Sequence, residues 1–170
     1  MRAVAAGRLA RMVVKRSAGL LLFRTSGGFL EVLLAHMGGP YWAARDEGAW
    51  TVPKGEYAGD ETAWAAARRE FAEELGLPVP DGEPVPLGEA RQAGGKVVTV
   101  WAVEGDLDPA LVRPGTFTME WPRGSGAVRN FPEVDRAAWY APEEAARLLV
   151  KGQRVFVERL AAHVRGRDEP

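Results

Sequence analysis

Apolar positions along this chain fall into two rhythms. Runs at Lys15–Arg24 and Phe29–His36 flank Ser26-Gly27-Gly28. Apolar stretches either side of a glycine turn predict the two strands of a hairpin. The next segment, Met37–Gly48, carries Gly38-Gly39-Pro40 and reads as a loop. A short strand is predicted at Ala49–Val52, running into Pro53-Lys54-Gly55. From Asp60 the period changes. Trp64, Ala67, Phe71 and Leu75 recur at helical spacing and form one apolar stripe. Asp60 is the expected N-cap, Gly76 the residue just past the end, and Pro78 blocks continuation. Val85–Gln92 and Lys96–Glu104 predict a second hairpin turning at Gly94-Gly95. Asp106–Glu133, rich in Pro and Gly, is expected to be one long loop. Asp135–Tyr140 reads as a strand, and Pro142–Val150 and Gln153–Val164 as short helices. Strands interleaved with helices predict a single α/β domain with α/β/α layering.

The predicted helix carries charge beside its apolar stripe. Glu70, Glu73 and Glu74 stand at i, i+3 and i+4, so they share one face. Like charges at that spacing destabilise an isolated helix, so a positive partner is expected among them. A hard divalent cation, which takes oxygen ligands, is the simplest partner. The plain alternative is a solvated acidic face.

The segment Gly55–Leu77 also fits a known pattern at every fixed position. Gly55 is followed by five residues and Glu61, then by seven residues and Arg69-Glu70-Phe71-Ala72-Glu73-Glu74-Leu75-Gly76-Leu77. This resembles the signature of the Nudix hydrolase family. The resemblance implies a Nudix-type α/β/α sandwich with a mixed β-sheet over residues 13–166. It also implies metal-dependent hydrolysis of phosphoanhydrides, with Mg2+ or Mn2+ held by Glu70, Glu73 and Glu74. The cation would neutralise diphosphate charge and lower the pKa of a water for attack at phosphorus.

Other residues gain candidate roles from the same resemblance. Arg69, four residues before Glu73, is expected to hold that carboxylate. Its plain alternative is a surface pair worth a few tenths of a kcal/mol. For Glu61 two readings stand: a charge favoured by the helix dipole, and a hydrogen-bonding support near the metal. Pro53-Lys54-Gly55 resembles a turn found ahead of the signature in several Nudix branches. There the Lys54 carbonyl joins the metal shell, the amine reaches a phosphate, or the amine is an ordinary surface lysine. A further acidic group is expected outside the signature. Glu133 is preferred because it precedes the strand containing Trp139, and Glu120 is the alternative. Arg123 and Arg129 are candidates for bidentate phosphate contacts. Trp42 and Tyr41 are candidates for stacking a base, whereas Trp101, inside a predicted strand, is expected to pack in the core. His36 and His163 have no spacing that suggests a metal site.

Trp50-Thr51-Val52-Pro53-Lys54-Gly55, followed by a strand that begins at Lys96 and contains Trp101, resembles the branch of asymmetric diadenosine tetraphosphate hydrolases. A dinucleoside polyphosphate is therefore the first expected substrate, and a (deoxy)nucleoside triphosphate the second. Lys96 is expected to bind substrate. Isopentenyl diphosphate isomerases share the fold but use a catalytic cysteine, and this chain has none. A nucleotide-sensing module on an inactive fold is expected to have lost signature glutamates, and all are present.

Composition narrows the rest. A chain of 170 residues with 46% hydrophobic content suits one domain with a proper core. A net charge of −1 gives no field that favours nucleic acid or anionic lipid. Lack of cysteine excludes disulfides, Cys-ligated zinc and thiol catalysis, and fits a cytoplasmic setting. The longest apolar run, Ala18–Phe23, is too short to span a bilayer. Residues 1–12 are basic and Ala-rich, with Arg8 and Arg11 interrupting any signal-peptide core. They read as a flexible leader or a short amphipathic helix, or as residues ahead of a true start at Met12. The excess of Arg over Lys, with frequent Ala, Gly and Pro, is associated with GC-rich bacterial genomes. Monomer and homodimer both remain open.

Overall fold

In the computed structural model, which describes residues 13–168, two strands set the frame. The leader expected over residues 1–12 lies outside those described. β1 (Arg16–Ser26) and β2 (Phe29–Met37) form the first predicted hairpin. They pair from Ser26↔Phe29 to Phe23↔Val32 and then part. Two short strands fill the gap. β3 (Trp50–Thr51) pairs with Ala35 and His36 of β2, and β4 (Lys54–Glu56) pairs with Ser17–Gly19 of β1. β3 falls within the strand expected at Ala49–Val52, and β4 is a further short strand in the segment that follows it. Pro53 has no N–H to give a ladder, so the run breaks there. Its carbonyl still accepts from the Leu20 N–H at 3.1 Å.

β5 (Val85–Arg91) and β6 (Val97–Glu104) form the second predicted hairpin, and β6 runs parallel to β1. β9 (Val134–Tyr140) lies antiparallel along β2. The result is a mixed seven-stranded sheet. β1 feeds both faces. Ala18, Leu20 and Leu22 pack with Ala66, Ala67, Phe71 and Leu75 of α1 (Ala63–Leu75). Leu21 and Phe23 pack with Leu148 of α2 (Pro142–Leu148) and with Phe156, Val157 and Leu160 of α3 (Arg154–Asp168). Helices on both faces of a mixed sheet give the α/β/α sandwich that the pattern predicts.

Two expectations are corrected. The N-cap of α1 is Thr62 rather than Asp60: the Thr62 hydroxyl accepts from the Ala65 N–H at 3.2 Å. The expected loop Asp106–Glu133 contains a single 3-10 turn at Pro109–Leu111 and a hairpin, β7 (Thr116–Glu120) and β8 (Val128–Pro132). That hairpin is a separate two-stranded sheet. Gly124 and Gly126 adopt positive φ at its turn. The Pro and Gly that suggested a loop are the punctuation of this turn and its approaches.

Gly76 locks the end of α1. It sits at φ 67°, and a side chain there would run into the Arg113 carbonyl. Arg113 in turn donates its N–H to the Leu75 carbonyl at 2.7 Å. Gly76→Ala is expected to cost about 2 kcal/mol or more, from αL strain plus displacement of that segment. A denaturant midpoint equal to the parent's would contradict this account of the junction.

Candidate active site

The divergence of β1 and β2 places β4 against the acidic edge of α1. Gly55 is there because of space. A Cβ on it would overlap the Glu70 carboxylate, which rests on the bare backbone of β4. One turn further on, Glu74 accepts the Lys54 N–H at 3.2 Å. Burial pushes the Glu74 carboxyl up to about 8. Lys54 opposes the shift, and Glu70 and Glu133 add to it.

Arg69 straps this edge together. Its Nε and Nη2 donate to Glu61 at 3.0 and 2.8 Å, and its Nη1 donates to Glu70 at 2.7 Å. Its contact with Glu73 is longer, 3.3 Å, and the Glu73 side chain is 59% exposed. The arginine therefore holds Glu61 and Glu70 first, with Glu73, its expected partner, a lesser one. The Arg69 hydrogen bond keeps Glu61 below the usual carboxylate range. Glu61 lies just ahead of the Thr62 cap, and its carboxylate faces Arg69.

Glu133 joins the same cluster from the other side. Its N–H donates to the Gly115 carbonyl at 2.9 Å, and its carbonyl accepts from Gly38 at 3.0 Å. Burial, then Glu70 and Glu73, raise its pKa. Glu120 is elsewhere. It ends β7, and its carboxylate accepts the Gly126 N–H at 3.2 Å, closing the hairpin turn.

The predicted cations lie on different sides. Burial lowers the Lys54 amine below its ordinary pKa, with Glu74 opposing and Lys96 adding to the effect. Lys96 pairs with Glu56 at 2.7 Å, so Glu56 lies among the basic groups next to Lys54. Arg123 and Arg129 are exposed, on the hairpin turn and on β8. Trp42 is half-buried against the α2/α3 core with Arg45 over its ring, whereas Tyr41 is exposed. Tyr41 meets Trp121 edge-on at 5.1 Å, with Arg123 5.9 Å from its ring. Trp101 packs on Trp64 in the α1 core, as expected. His163 is exposed on α3. The sequence reading missed Glu56 and Trp121. The alternation through Thr116–Glu120 was the signal that could have found the hairpin carrying Trp121.

The three glutamates at the acidic edge offer oxygen donors. That chemistry fits a hard divalent cation. Among the described residues no three acidic or histidine groups converge closely enough to hold an ion as they stand. Arg69 holds Glu70 at 2.7 Å, and Glu73 is a long, exposed side chain free to turn. The high pKa of Glu74 marks a place where added positive charge would favour the ionised form. The residues present therefore fit a cation.

The NUDIX domain model matches residues 13–160, and the chain belongs to that family. With every signature carboxylate in place it is a Nudix hydrolase, and members of the family generally use divalent metal ions. Solved structures share the fold. A C. elegans Ap4A hydrolase binary complex superposes with TM-score 0.65 at 22% identity, covering 90% of this chain and 99% of that one. The NUDIX domain of Shewanella oneidensis NrtR complexed with ADP ribose gives 0.57 at 16% identity, covering 89% of each. The Nudix hydrolase RenU of M. smegmatis gives 0.56 at 24% identity, covering 88% of this chain and 85% of that one. Comparison with curated proteins finds no match. Among the described residues no helix is long and apolar enough to cross a membrane.

The Glu74 shift makes a prediction about metal-free protein. Its carboxyl rises from 4.5 to about 8 on folding. Its contribution to stability is therefore full below about 4.5 and is lost as pH rises through about 8. Glu74→Gln removes that titration. The Tm of the variant minus that of the parent is expected to grow more positive across this window, and magnesium should recover the parent alone. A difference independent of pH would contradict the burial of Glu74.

Proposed function

We propose that this protein hydrolyses a phosphoanhydride in a nucleoside diphosphate linked to another moiety. A dinucleoside polyphosphate is the first choice and a (deoxy)nucleoside triphosphate the second. One observation carries the reading: four carboxylates, Glu70, Glu73, Glu74 and Glu133, share one electrostatic neighbourhood, and Lys54 adjoins it. Negative groups for a cation next to positive groups for phosphate suit a polyphosphate. The similarity to an Ap4A hydrolase in fold supports the first choice.

Glu70, Glu73, Glu74 and the Lys54 carbonyl would hold the cation, magnesium or manganese. When bound there, a divalent cation supplies positive charge for the phosphates and acidifies water. The residues do the rest. Arg69 and Glu61 keep Glu70 seated on Gly55. Glu133 takes the proton of the attacking water; its raised pKa brings it nearer the operating range of a general base. Lys54 and Lys96 bind phosphate oxygens, and Arg123 and Arg129 approach the chain from the hairpin. Tyr41 and Trp42 offer aromatic surface to a base, Tyr41 the more exposed of the two.

A substrate panel with product identification tests this reading. It should include dinucleoside polyphosphates, nucleoside triphosphates, ADP-ribose and inositol pyrophosphates. Turnover is expected with magnesium or manganese and is expected to vanish in excess chelator. Full activity in chelator would overturn the metal assignment.

Two side-chain comparisons probe the machinery. Glu74→Gln is expected to lower turnover by about a hundredfold or more in folded protein, because one lost charge weakens both metal binding and water activation. Glu133→Gln is expected to cost more turnover than Glu120→Gln. Near-parent rates for Glu74→Gln, or the reverse ranking at the second pair, would contradict these roles.

A further inference from the structure

His36 is wholly buried and belongs to none of the groups assigned above. Both of its ring nitrogens are engaged. Nε2 lies 2.7 Å from the Arg45 carbonyl, which can only accept, so Nε2 is the donor. Nδ1 lies 2.9 Å from Asp135 Oδ2. The ring also meets Trp50 edge-on at 5.1 Å. One buried side chain thus ties β2 to β9 and to the loop that carries Tyr41 and Trp42.

Asp135 occupies a particular place. In the β2–β9 ladder His36 faces Arg136 and Met37 faces Val134, so Asp135 is an extra residue with no partner on β2. It is a β-bulge. In an unbroken ladder Val134 would lie on the face opposite Ala137 and Trp139. With the bulge all three pack in the α1 core. Bulges next to active sites re-aim neighbouring side chains. The neighbour here is Glu133, whose backbone passes directly from Val134 to its bonds with Gly38 and Gly115.

We propose that His36 and Asp135 are positioning residues: together they lock the bulge that sets Glu133 at the edge of α1. Neither reaches the substrate. The Asp135 bond governs Glu133, and the Arg45 bond governs the loop. This rests on the reading of Glu133 as the base.

The two bonds can be cut separately. His36→Gln retains a donor near the Nε2 position and loses the Asp135 bond. His36→Asn retains a polar atom near Nδ1 and loses the loop bond. Asp135→Ala removes the carboxylate. His36→Gln and Asp135→Ala are expected to lower kcat about tenfold or more with KM little changed, since misplacing a reacting group costs rate. His36→Asn is expected to keep kcat and raise KM. A purely structural histidine would make both His36 variants alike in kcat, with only Tm affected. Asp135→Ala combined with Glu133→Gln should lose no more than Glu133→Gln alone, because residues that act as a unit are not additive.

A second readout needs no substrate. In Asp135→Ala, the amides of Gly38 and Glu133 should exchange hydrogen faster, while the amides that bond β1 to β6 stay protected. Parent kcat and parent exchange in Asp135→Ala would overturn the inference. So would uniform loosening of both regions, or additive losses in the double variant. If Glu133→Gln itself kept parent turnover, the base assignment would fall and the latch with it. Loss in Glu133→Gln with no effect of Asp135→Ala would remove the latch alone.

Discussion

Carboxylates on one edge of a helix repel one another, and much of this molecule answers that repulsion. Glu70, Glu73 and Glu74 project from α1, and Glu133 faces them from the start of β9. Left alone, such a set would destabilise the helix that carries it. Arg69 neutralises part of it by bonding Glu61 and Glu70 and reaching Glu73. Glu74 is out of that reach. It is buried against the Lys54 backbone, and that burial raises its pKa. The unmet demand for positive charge at this edge is the physical basis of the metal assignment. A surface acidic patch would show carboxylates turned to water, not one seated on a glycine and another buried against a strand.

The sheet makes that edge reachable. β1 and β2 part after four paired positions, and β3 and β4 occupy the opening. Gly55 lies in that opening, and its lack of a side chain lets α1 bring Glu70 down onto the backbone. Gln153 fastens the arrangement from the opposite face: it accepts the Val52 N–H at 2.8 Å and bonds the Thr51 hydroxyl, all in buried surroundings. Glu70 and Glu74 are thus placed by the backbone of Gly55 and Lys54, and a firmly held side chain is what precise chemistry requires.

Much of this was legible in the chain. The helical stripe at Trp64, Ala67, Phe71 and Leu75 located α1, since period 3.6 is a strong local signal. Gly55 and Gly76 were readable as special, although spacing alone could not show what fills the room at Gly55. Asp60 was misread as the cap because Asp and Thr compete closely for that place. The hairpin β7–β8 was hidden by its Pro and Gly content. The bulge at Asp135 could not be read at all. It depends on register between strands about a hundred residues apart, and side-chain alternation says nothing of where one residue is added. The same holds for His36, whose partners are brought to it only by the fold.

The central claim is that this edge holds a divalent cation through Glu74. Manganese binding followed by electron paramagnetic resonance, on protein without nucleotide at neutral pH, addresses it directly. The account predicts that the parent takes up manganese and that Glu74→Gln weakens uptake by about tenfold or more, the scale for losing one group of a metal site. Equal manganese binding by parent and variant would contradict it.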